Sequence, residues 1–191
     1  FEAEGSSFRD LLRLRRLTAQ QNIPLYLKIG GAEALRDLKD ALDLGVDGLI
    51  APMVESPFGV VKFADAVESI FCKRKLFKSI NIETQRSVEH INEILEIAKN
   101  KIDNITIGRT DLSQSYFDDS VKPDSPFILD LIERLSCKIQ ASGMTLTVGG
   151  SVNKESIHLL NERRDRIEGR VASIETRKVI LPVDQMLGKE N

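Results

Sequence analysis

Short apolar runs alternate with amphipathic helical patterns along the whole chain, and this alternation limits the possible folds more than any other feature. The runs that predict strands are Leu25–Ile29, Gly48–Met53, Ser79–Ile82, Asn104–Gly108, Met144–Gly149 and Val171–Ile174. Most of them are continuous, which is typical of strands buried on both faces of a sheet. Strands that alternate with helices form a parallel sheet, so the sequence predicts an α/β protein.

Between the runs, apolar residues recur at spacings of three and four, as they do along one face of a helix. The clearest stripes are Leu35-Leu38-Leu42, Val60-Ala64-Val67-Phe71, Val88-Ile91-Leu95-Ala98 and Ile128-Leu131-Leu135-Ile139. Residues typical of helix boundaries flank these stripes. They are Ser56-Pro57, Ser125-Pro126 and Asn153 at predicted starts, and Gly45 and Gly143 at predicted ends.

Two architectures fit this pattern, a doubly wound open sheet and a (β/α)₈ TIM barrel. The Gly-rich phosphate fingerprint of a dinucleotide-binding fold does not follow the first predicted strand, which disfavours the open sheet. A full barrel usually takes about 250 residues, and this chain has 191. We therefore expect one domain over residues 1–191, a TIM barrel that lacks its first strand in this chain, with the start of the barrel upstream of Phe1.

Charge and composition disfavour several classes of partner. The net charge is −2, and aromatic residues make up 5% of the chain with no Trp, so neither nucleic acid nor an anionic membrane is indicated. No apolar run approaches the roughly 20 residues that span a bilayer. Cys72 and Cys137 lack metal-type spacing and fit free thiols in a reducing compartment. We expect a cytoplasmic protein.

Polar residues collect directly after the predicted strands, where the active sites of parallel α/β folds form. These segments are Gly30-Gly31, Glu55-Ser56, Glu83-Thr84, Arg109-Thr110-Asp111, Gly149-Gly150-Ser151 and Glu175-Thr176-Arg177. Glu83 and Asp111 end consecutive strands, and neighbouring strands of a sheet lie about 4.8 Å apart. A pair that close repels unless a cation lies between its members, and a hard divalent ion suits oxygen ligands. The alternative is a salt bridge to Arg109 or Lys28.

Two further side chains are predicted to face the same site. Asn81 alternates with Glu83 on one strand, so both point to one face of the sheet. Lys28 lies near the end of an apolar strand, where a charge without a partner is costly. It is a candidate to polarise a substrate carbonyl, to hold a carboxylate or to form a Schiff base. A lysine extended toward solvent at the strand edge is the alternative.

Glycines next to these residues predict close approach of a ligand to the backbone. The N–H groups of Thr110 and Asp111 follow the strand-ending Gly108, and such turns often hold anions. Gly149 and its neighbour Gly150 leave the backbone uncovered after the next strand. The sequence therefore predicts a substrate-binding site here, with plain turns as the alternative.

Three ordered segments together resemble the HpcH/HpaI aldolase and citrate lyase family. They are Gly45–Ser56 (GVDGLIAPMVES), Asn81–Thr84 (NIET), which is similar to a Gln/Asn-x-Glu-Thr strand end, and Ile107–Ser113 (IGRTDLS), which is similar to Gly-Pro-x-Asp-Leu-Ser. The resemblance spans nearly the whole chain. It implies a (β/α)₈ barrel of the phosphoenolpyruvate/pyruvate type, in which Phe1–Gly5 is the tail of the second strand and Val171–Ile174 is the eighth.

The resemblance also implies roles for the site residues. Glu83 and Asp111 would bind Mg²⁺ or Mn²⁺, and pyruvate or another oxo acid would bind through that ion. The amides of Thr110 and Asp111 would hold its carboxylate, with Asn81 beside the site. Lys28 takes the place of the usual Arg near the carbonyl, and with the metal it would stabilise the enolate of a class II aldol reaction. A homo-oligomer is implied as well.

The chain departs from the family pattern in ways that bear on catalysis. The aldolases have a His after the second strand, but Phe1–Gly5 contains none, so Glu2 or Glu4 is the expected substitute, as a base or as a further metal ligand. Arg109 replaces the usual Pro and is expected to add a catalytic cation at the mouth of the site. Together with Arg177, it would suit a second acidic group on the substrate, such as a carboxylate or phosphate.

The sequence thus predicts a metal-dependent carbon–carbon lyase, aldolase or citrate lyase-like, that acts on a 2-oxo acid or a related acyl-CoA substrate. The alternative is a non-catalytic barrel that binds an oxo acid or a phosphorylated metabolite. A phosphotransferase or hydrolase on the same type of barrel is a third possibility.

Overall fold

The computed structural model describes residues 5–72 and 74–187, which form one seven-stranded sheet with helices. Six strands run parallel, each paired with the next along the chain, and the seventh is antiparallel to the sixth. The strands are β1 (Tyr26–Lys28), β2 (Gly48–Ala51), β3 (Phe77–Ile82), β4 (Asn104–Gly108), β5 (Thr145–Gly149), β6 (Ser173–Glu175) and β7 (Ile180–Pro182).

Helices occupy most of the connections between the parallel strands. They are α1 (Phe8–Gln20), α2 (Leu35–Leu44), α3 (Pro57–Phe71), α4 (Gln85–Glu89), α5 (Ile91–Ala98), α6 (Arg109–Gln114), α7 (Pro126–Ala141), α8 (Lys154–Glu162), α9 (Arg164–Ile167) and α10 (Val183–Met186). No helix in the described part of the chain has the length and apolar content needed to cross a membrane.

The predicted helix boundaries are confirmed where local chemistry specifies them. Ser56 caps α3, with its side chain accepting from the Gly59 amide and Pro57 at the first helical position. Asn153 forms a capping box at the start of α8. Gly45 ends α2 with φ +66°, a left-handed conformation that glycine adopts without steric cost.

The two faces of the sheet differ in chemistry. One face is apolar and packs in the same core as the helices; its buried residues are Leu27, Ile29, Leu49, Ala51, Ile80, Ile82, Ile105, Ile107, Leu146, Val148 and Ile174. The other face carries hydroxyl and amide groups and curls around a cavity of about 200 Å³ that residues of all seven strands line. Asn104 lies at its centre, donating to Ser79 and Thr106 and accepting from Thr145 and Thr147.

The sequential strand order supports the barrel-type arrangement over the doubly wound one, because a doubly wound sheet reverses its strand order at a switch point. Closure of a complete barrel is not established, since β1 and β7 are the outer strands among the described residues. The six-strand prediction missed β7, so the strand predicted as the eighth is not the last in the sheet. The expected second-strand tail lies mostly at residues 1–4, outside the described residues, and Gly5 lies in a turn.

Candidate functional site

A cavity of about 360 Å³ lies at the carboxyl ends of β1 and β3–β6. The structure brings together there every predicted site residue except Glu4 and Arg109, namely Lys28, Asn81, Glu83, Gly108, Thr110, Asp111 and Gly149. Glu4 falls outside the described residues. Most of the residues selected by their position after a strand therefore lie in one cavity, and their roles in binding or catalysis stay predictions.

The Glu83 carboxylate is the most firmly held group of this cavity. Its side chain is only 2% exposed. The Met53 amide donates to Oε1 at 2.9 Å, and Asn81 Nδ2 donates to Oε2 at 3.0 Å. Lys28 Nζ lies 3.7 Å from Oε2. These contacts give the buried carboxyl group hydrogen-bond and ion-pair partners, without which its burial would be costly.

Gly108 makes room for that carboxylate. A Cβ at position 108 would lie 2.5 Å from Glu83 Oε2 and 3.0 Å from Glu83 Cβ. Because no side chain fits between β3 and β4 at this point, glycine at the end of β4 is a condition for the observed position of Glu83. Asp111, partly buried in the first turn of α6, lies on the wall of the same cavity.

Glu175, at the end of β6, is a cavity residue that the sequence analysis did not select. Burial raises the pKa of its carboxyl above the ordinary value; Glu83 raises it further, and Lys28 opposes both. Its Oε2 is buried and has no hydrogen-bond partner among the described residues. Its position directly after the sixth predicted strand indicates a site residue, but only Glu83 and Asp111 were selected as the carboxylate pair.

Two hydroxyls and a close approach of two backbone segments mark the side of the cavity toward β5. Gly150 has φ +83°, and a Cβ there would lie 2.6 Å from the Thr110 nitrogen, so the backbones after β4 and β5 are in direct contact. Thr110 Oγ1 and Ser151 Oγ lie 2.8 Å apart. Arg177 also lines this cavity. A negatively charged group would meet donors here.

The structure does not place Arg109 at the mouth of the site, as the sequence analysis expected. Its side chain is fully buried, and its guanidinium donates to the carbonyls of Gly149, Gly150 and Pro123 and to the carboxylate of Asp124. All of its nitrogens are engaged by protein acceptors, so no part of the guanidinium faces a ligand. Burial lowers the pKa of Arg109, an effect that Asp124 opposes.

The donor atoms around Glu83 suit a hard cation. Asn81 Oδ1 and Glu175 Oε2 are both buried without a hydrogen-bond partner in the described part of the chain, and both residues line the cavity with Glu83 and Asp111. Oxygen ligands of this kind bind Mg²⁺, which often keeps several waters and takes only one or two carboxylates. No group of three or more His, Cys, Asp or Glu side chains within residues 5–72 and 74–187 is arranged to hold a metal.

Comparison with known proteins identifies the family. The HpcH/HpaI aldolase/citrate lyase model matches residues 27–148. The chain belongs to this family. The match begins within β1 and ends within β5 and therefore includes Glu83 and Asp111, so the resemblance inferred from the three sequence segments is confirmed. No curated protein matches the chain in sequence.

Solved structures share the fold at low sequence identity. An HpcH/HpaI aldolase from Desulfitobacterium hafniense matches with a TM-score of 0.71 and 14% identity over 90% of this chain and 72% of its own. A family member from Burkholderia cenocepacia gives 0.68 and 16% over 89% and 73%. The citrate synthase SbnG gives 0.68 and 19% over 87% and 71%. Identities this low establish the fold alone, while membership of the family suggests a lyase.

Proposed function

We propose that this chain carries the site of a carbon–carbon lyase of the class II aldolase type, which acts on a 2-oxo acid or a related acyl-CoA substrate. The observation that carries the proposal is the cavity at the strand ends, where a buried, well-held Glu83 carboxylate shares a wall with Asp111, Lys28 and Asn81. Membership of the family supports the reaction class.

Glu83 and Asp111 would hold the divalent ion, Mg²⁺ or Mn²⁺, with the carbonyl oxygen of Asn81 beside them. When bound, such an ion supplies Lewis-acid polarisation of the 2-oxo group. Glu83 has capacity for it, because each carboxylate oxygen accepts only one of the hydrogen bonds described above and has a second lone pair.

The remaining cavity residues would bind the substrate and move its proton. The backbone N–H groups of Thr110 and Asp111, at the start of α6, would hold the carboxylate, and Lys28 would lie near the carbonyl. Cleavage of the carbon–carbon bond requires removal of a proton from the substrate hydroxyl. Glu175 would accept that proton and return it to the carbon of the enolate that cleavage leaves, because its Oε2 has no hydrogen-bond partner among the described residues. Arg177 would favour substrates with a second carboxylate or phosphate.

Cleavage of a substrate panel with Mg²⁺ or Mn²⁺ present tests the proposal: 4-hydroxy-2-oxo acids would release pyruvate, and 3-hydroxyacyl-CoA thioesters would release a shorter acyl-CoA and a carbonyl compound. We expect at least one substrate to be cleaved, and we expect Glu83→Gln to abolish both cleavage and Mn²⁺ binding in calorimetry. Glu33→Gln is the matched control, because Glu33 is paired with Lys62 at 2.6 Å outside this cavity. Cleavage of no member of the panel by the full-length protein would overturn the lyase proposal.

One observation favours the second candidate, a non-catalytic barrel that binds an oxo acid or a phosphorylated metabolite. Lys28 Nζ lies 3.7 Å from Glu83 Oε2 and neutralises part of the charge that a metal would otherwise balance. Under that alternative, calorimetry with oxaloacetate or pyruvate would detect binding without divalent ions, Glu83→Gln would retain it, and no substrate of the panel would be cleaved.

A further inference from the structure

Arg109 begins α6 directly before Thr110 and Asp111, and its side chain leads away from the cavity into the protein. Nε donates to the Gly149 carbonyl at 3.1 Å, and Nη2 donates to the Gly150 carbonyl at 2.8 Å. The guanidinium therefore joins the start of α6 to the backbone that ends β5.

The third nitrogen of the guanidinium, Nη1, contacts the segment before α7. Nη1 donates to Asp124 Oδ1 and to the Pro123 carbonyl at 3.4 Å. The other oxygen of Asp124 accepts from Ser156 Oγ at 2.8 Å. One buried cation thus connects the segments after β4, before α7, after β5 and in the first turn of α8.

Burying an arginine costs free energy, because its charge must leave water and every N–H needs an acceptor. Its rigid planar fork instead fixes the relative positions of several acceptors at once, which neither lysine nor an apolar side chain does. The loops it joins are also in close contact, since a Cβ on Gly150 would lie 2.6 Å from the Thr110 nitrogen.

We propose that Arg109 is a positioning residue that holds the Gly149–Gly150 backbone against the start of α6, so that Thr110, Asp111 and Ser151 keep their places on the cavity wall. The effect on catalysis rests on the proposed lyase function; the effect on backbone positions does not. Groups that orient a site in this way typically contribute about 10–100-fold to affinity or activity.

Amide hydrogen exchange of Arg109→Lys, compared with wild type, tests the positioning role directly. Lysine keeps the charge but cannot donate to all these acceptors together. We expect exchange to accelerate about tenfold or more at residues 149–151 and 110–111, which is the factor expected when a hydrogen bond to a charged group that resists local opening is lost, with rates elsewhere unchanged. Arg163→Lys is the matched control, because Arg163 pairs with Asp130 and Glu133, each at 2.7 Å, on a surface outside the cavity.

The kinetic measurement uses whichever substrate the wild-type protein cleaves. We expect Arg109→Lys to lower kcat by about 10–100-fold with a smaller change in KM, because catalytic geometry is lost more than binding. If Arg109→Lys does not fold, Asp124→Asn removes only the carboxylate of the network and should accelerate exchange at the same residues to a lesser degree. Unchanged local exchange, or acceleration spread evenly over the chain, would overturn the inference. Absent lyase activity with the local exchange effect present would overturn only the proposed function.

Discussion

Replacing Gly108 by alanine would place a methyl group where the Glu83 side chain lies. The new Cβ would lie 2.5 Å from Glu83 Oε2, and ordinary contact begins at about 3.4 Å, so the carboxylate would have to move by about 0.9 Å. A flexible side chain often moves at little cost. Glu83 is buried, held at both oxygens, and its Cβ would also lie within 3.0 Å of the methyl group, so rotation of the carboxylate alone does not relieve the contact.

The expected cost follows from these contacts. Overpacking a dense interior typically costs about 1–3 kcal/mol, and losing a hydrogen bond to a charged group costs about 1.5–3 kcal/mol. The smaller conformational freedom of alanine in the unfolded chain offsets about 0.4–1 kcal/mol. We therefore expect Gly108→Ala to lower the free energy of unfolding by about 2–5 kcal/mol, and the affinity for Mn²⁺ at the proposed site by about 10–100-fold.

Urea unfolding and calorimetry measure the two effects, with Gly31→Ala as the control. A Cβ at Gly31 meets no atom within 4 Å among the described residues, so Gly31→Ala should not be destabilised and should gain no more than about 1 kcal/mol from the smaller conformational freedom of its unfolded chain. Equal stability of the two variants would refute the argument that Gly108 exists to accommodate Glu83. The expected loss of stability with an unchanged Mn²⁺ affinity would instead remove Glu83 from the proposed metal site.

Further predictions concern the two sides of the cavity and the sheet below it. The raised pKa of Glu175 means that the folded state holds this proton more tightly than the unfolded state, so stability falls as the pH rises from the ordinary Glu value through the folded one. Glu175→Gln should therefore be more stable than wild type at pH 8 and not at pH 3, as urea unfolding at both pH values would check. Gly150→Ala should cost about 2–5 kcal/mol from its left-handed backbone and its 2.6 Å contact with Thr110; Gly143→Ala, with φ +78° and no atom within 4 Å among the described residues, should cost only about 1–2 kcal/mol. Asn104→Ala should cost about 2–4 kcal/mol, because it removes the centre of a buried hydrogen-bond network; a cost below about 0.5 kcal/mol by thermal unfolding would contradict this.

The parallel strands were predictable because each contains apolar residues that pack against the helices, and these residues stand out in the sequence. Ile80 and Ile82, or Ile105 and Ile107, pack in the helix-facing core and predict a strand on their own. The polar residues between them were harder to interpret, because a polar residue on a buried strand face has a place only if its hydrogen-bond partners are nearby. Those partners are on other strands, far away in sequence, so the polar inner face was not foreseen as a whole.

The seventh strand lacked such a signal. β7 has only three residues and ends in Pro182, and it returns antiparallel to β6 through a turn in which Thr176 bonds to the Val179 carbonyl. That turn contains Arg177 and Lys178 instead of the Gly, Asn or Asp that mark tight hairpins. Neither length nor turn composition therefore predicts this strand.

Arg109 shows that a place directly after a strand does not by itself determine whether a side chain faces the cavity. A cation directly after a strand is a reasonable candidate to face a ligand, and its neighbours Thr110 and Asp111 do line the cavity. Its acceptors lie 15 positions ahead at Asp124 and 40 positions ahead at Gly149. No local pattern pairs residues at such distances, so the direction of this side chain depends on the assembled fold.

The polar groups on the inner face of the sheet differ between the two ends of the strands. Toward the amino ends of the strands, the Asn104 network uses both atoms of the amide, and its polar groups satisfy one another. Toward the carboxyl ends, Asn81 Oδ1 and Glu175 Oε2 are buried without partners among the described residues. A buried polar group without a partner typically costs about 1–3 kcal/mol. A fold selected for stability alone would therefore be expected to continue the Asn104 hydrogen-bond network to the carboxyl ends of the strands. A bound cation or a substrate donor would offset that cost at the carboxyl ends of the strands, so this contrast within one continuous surface marks the cavity there as the candidate site, independently of any similarity in sequence.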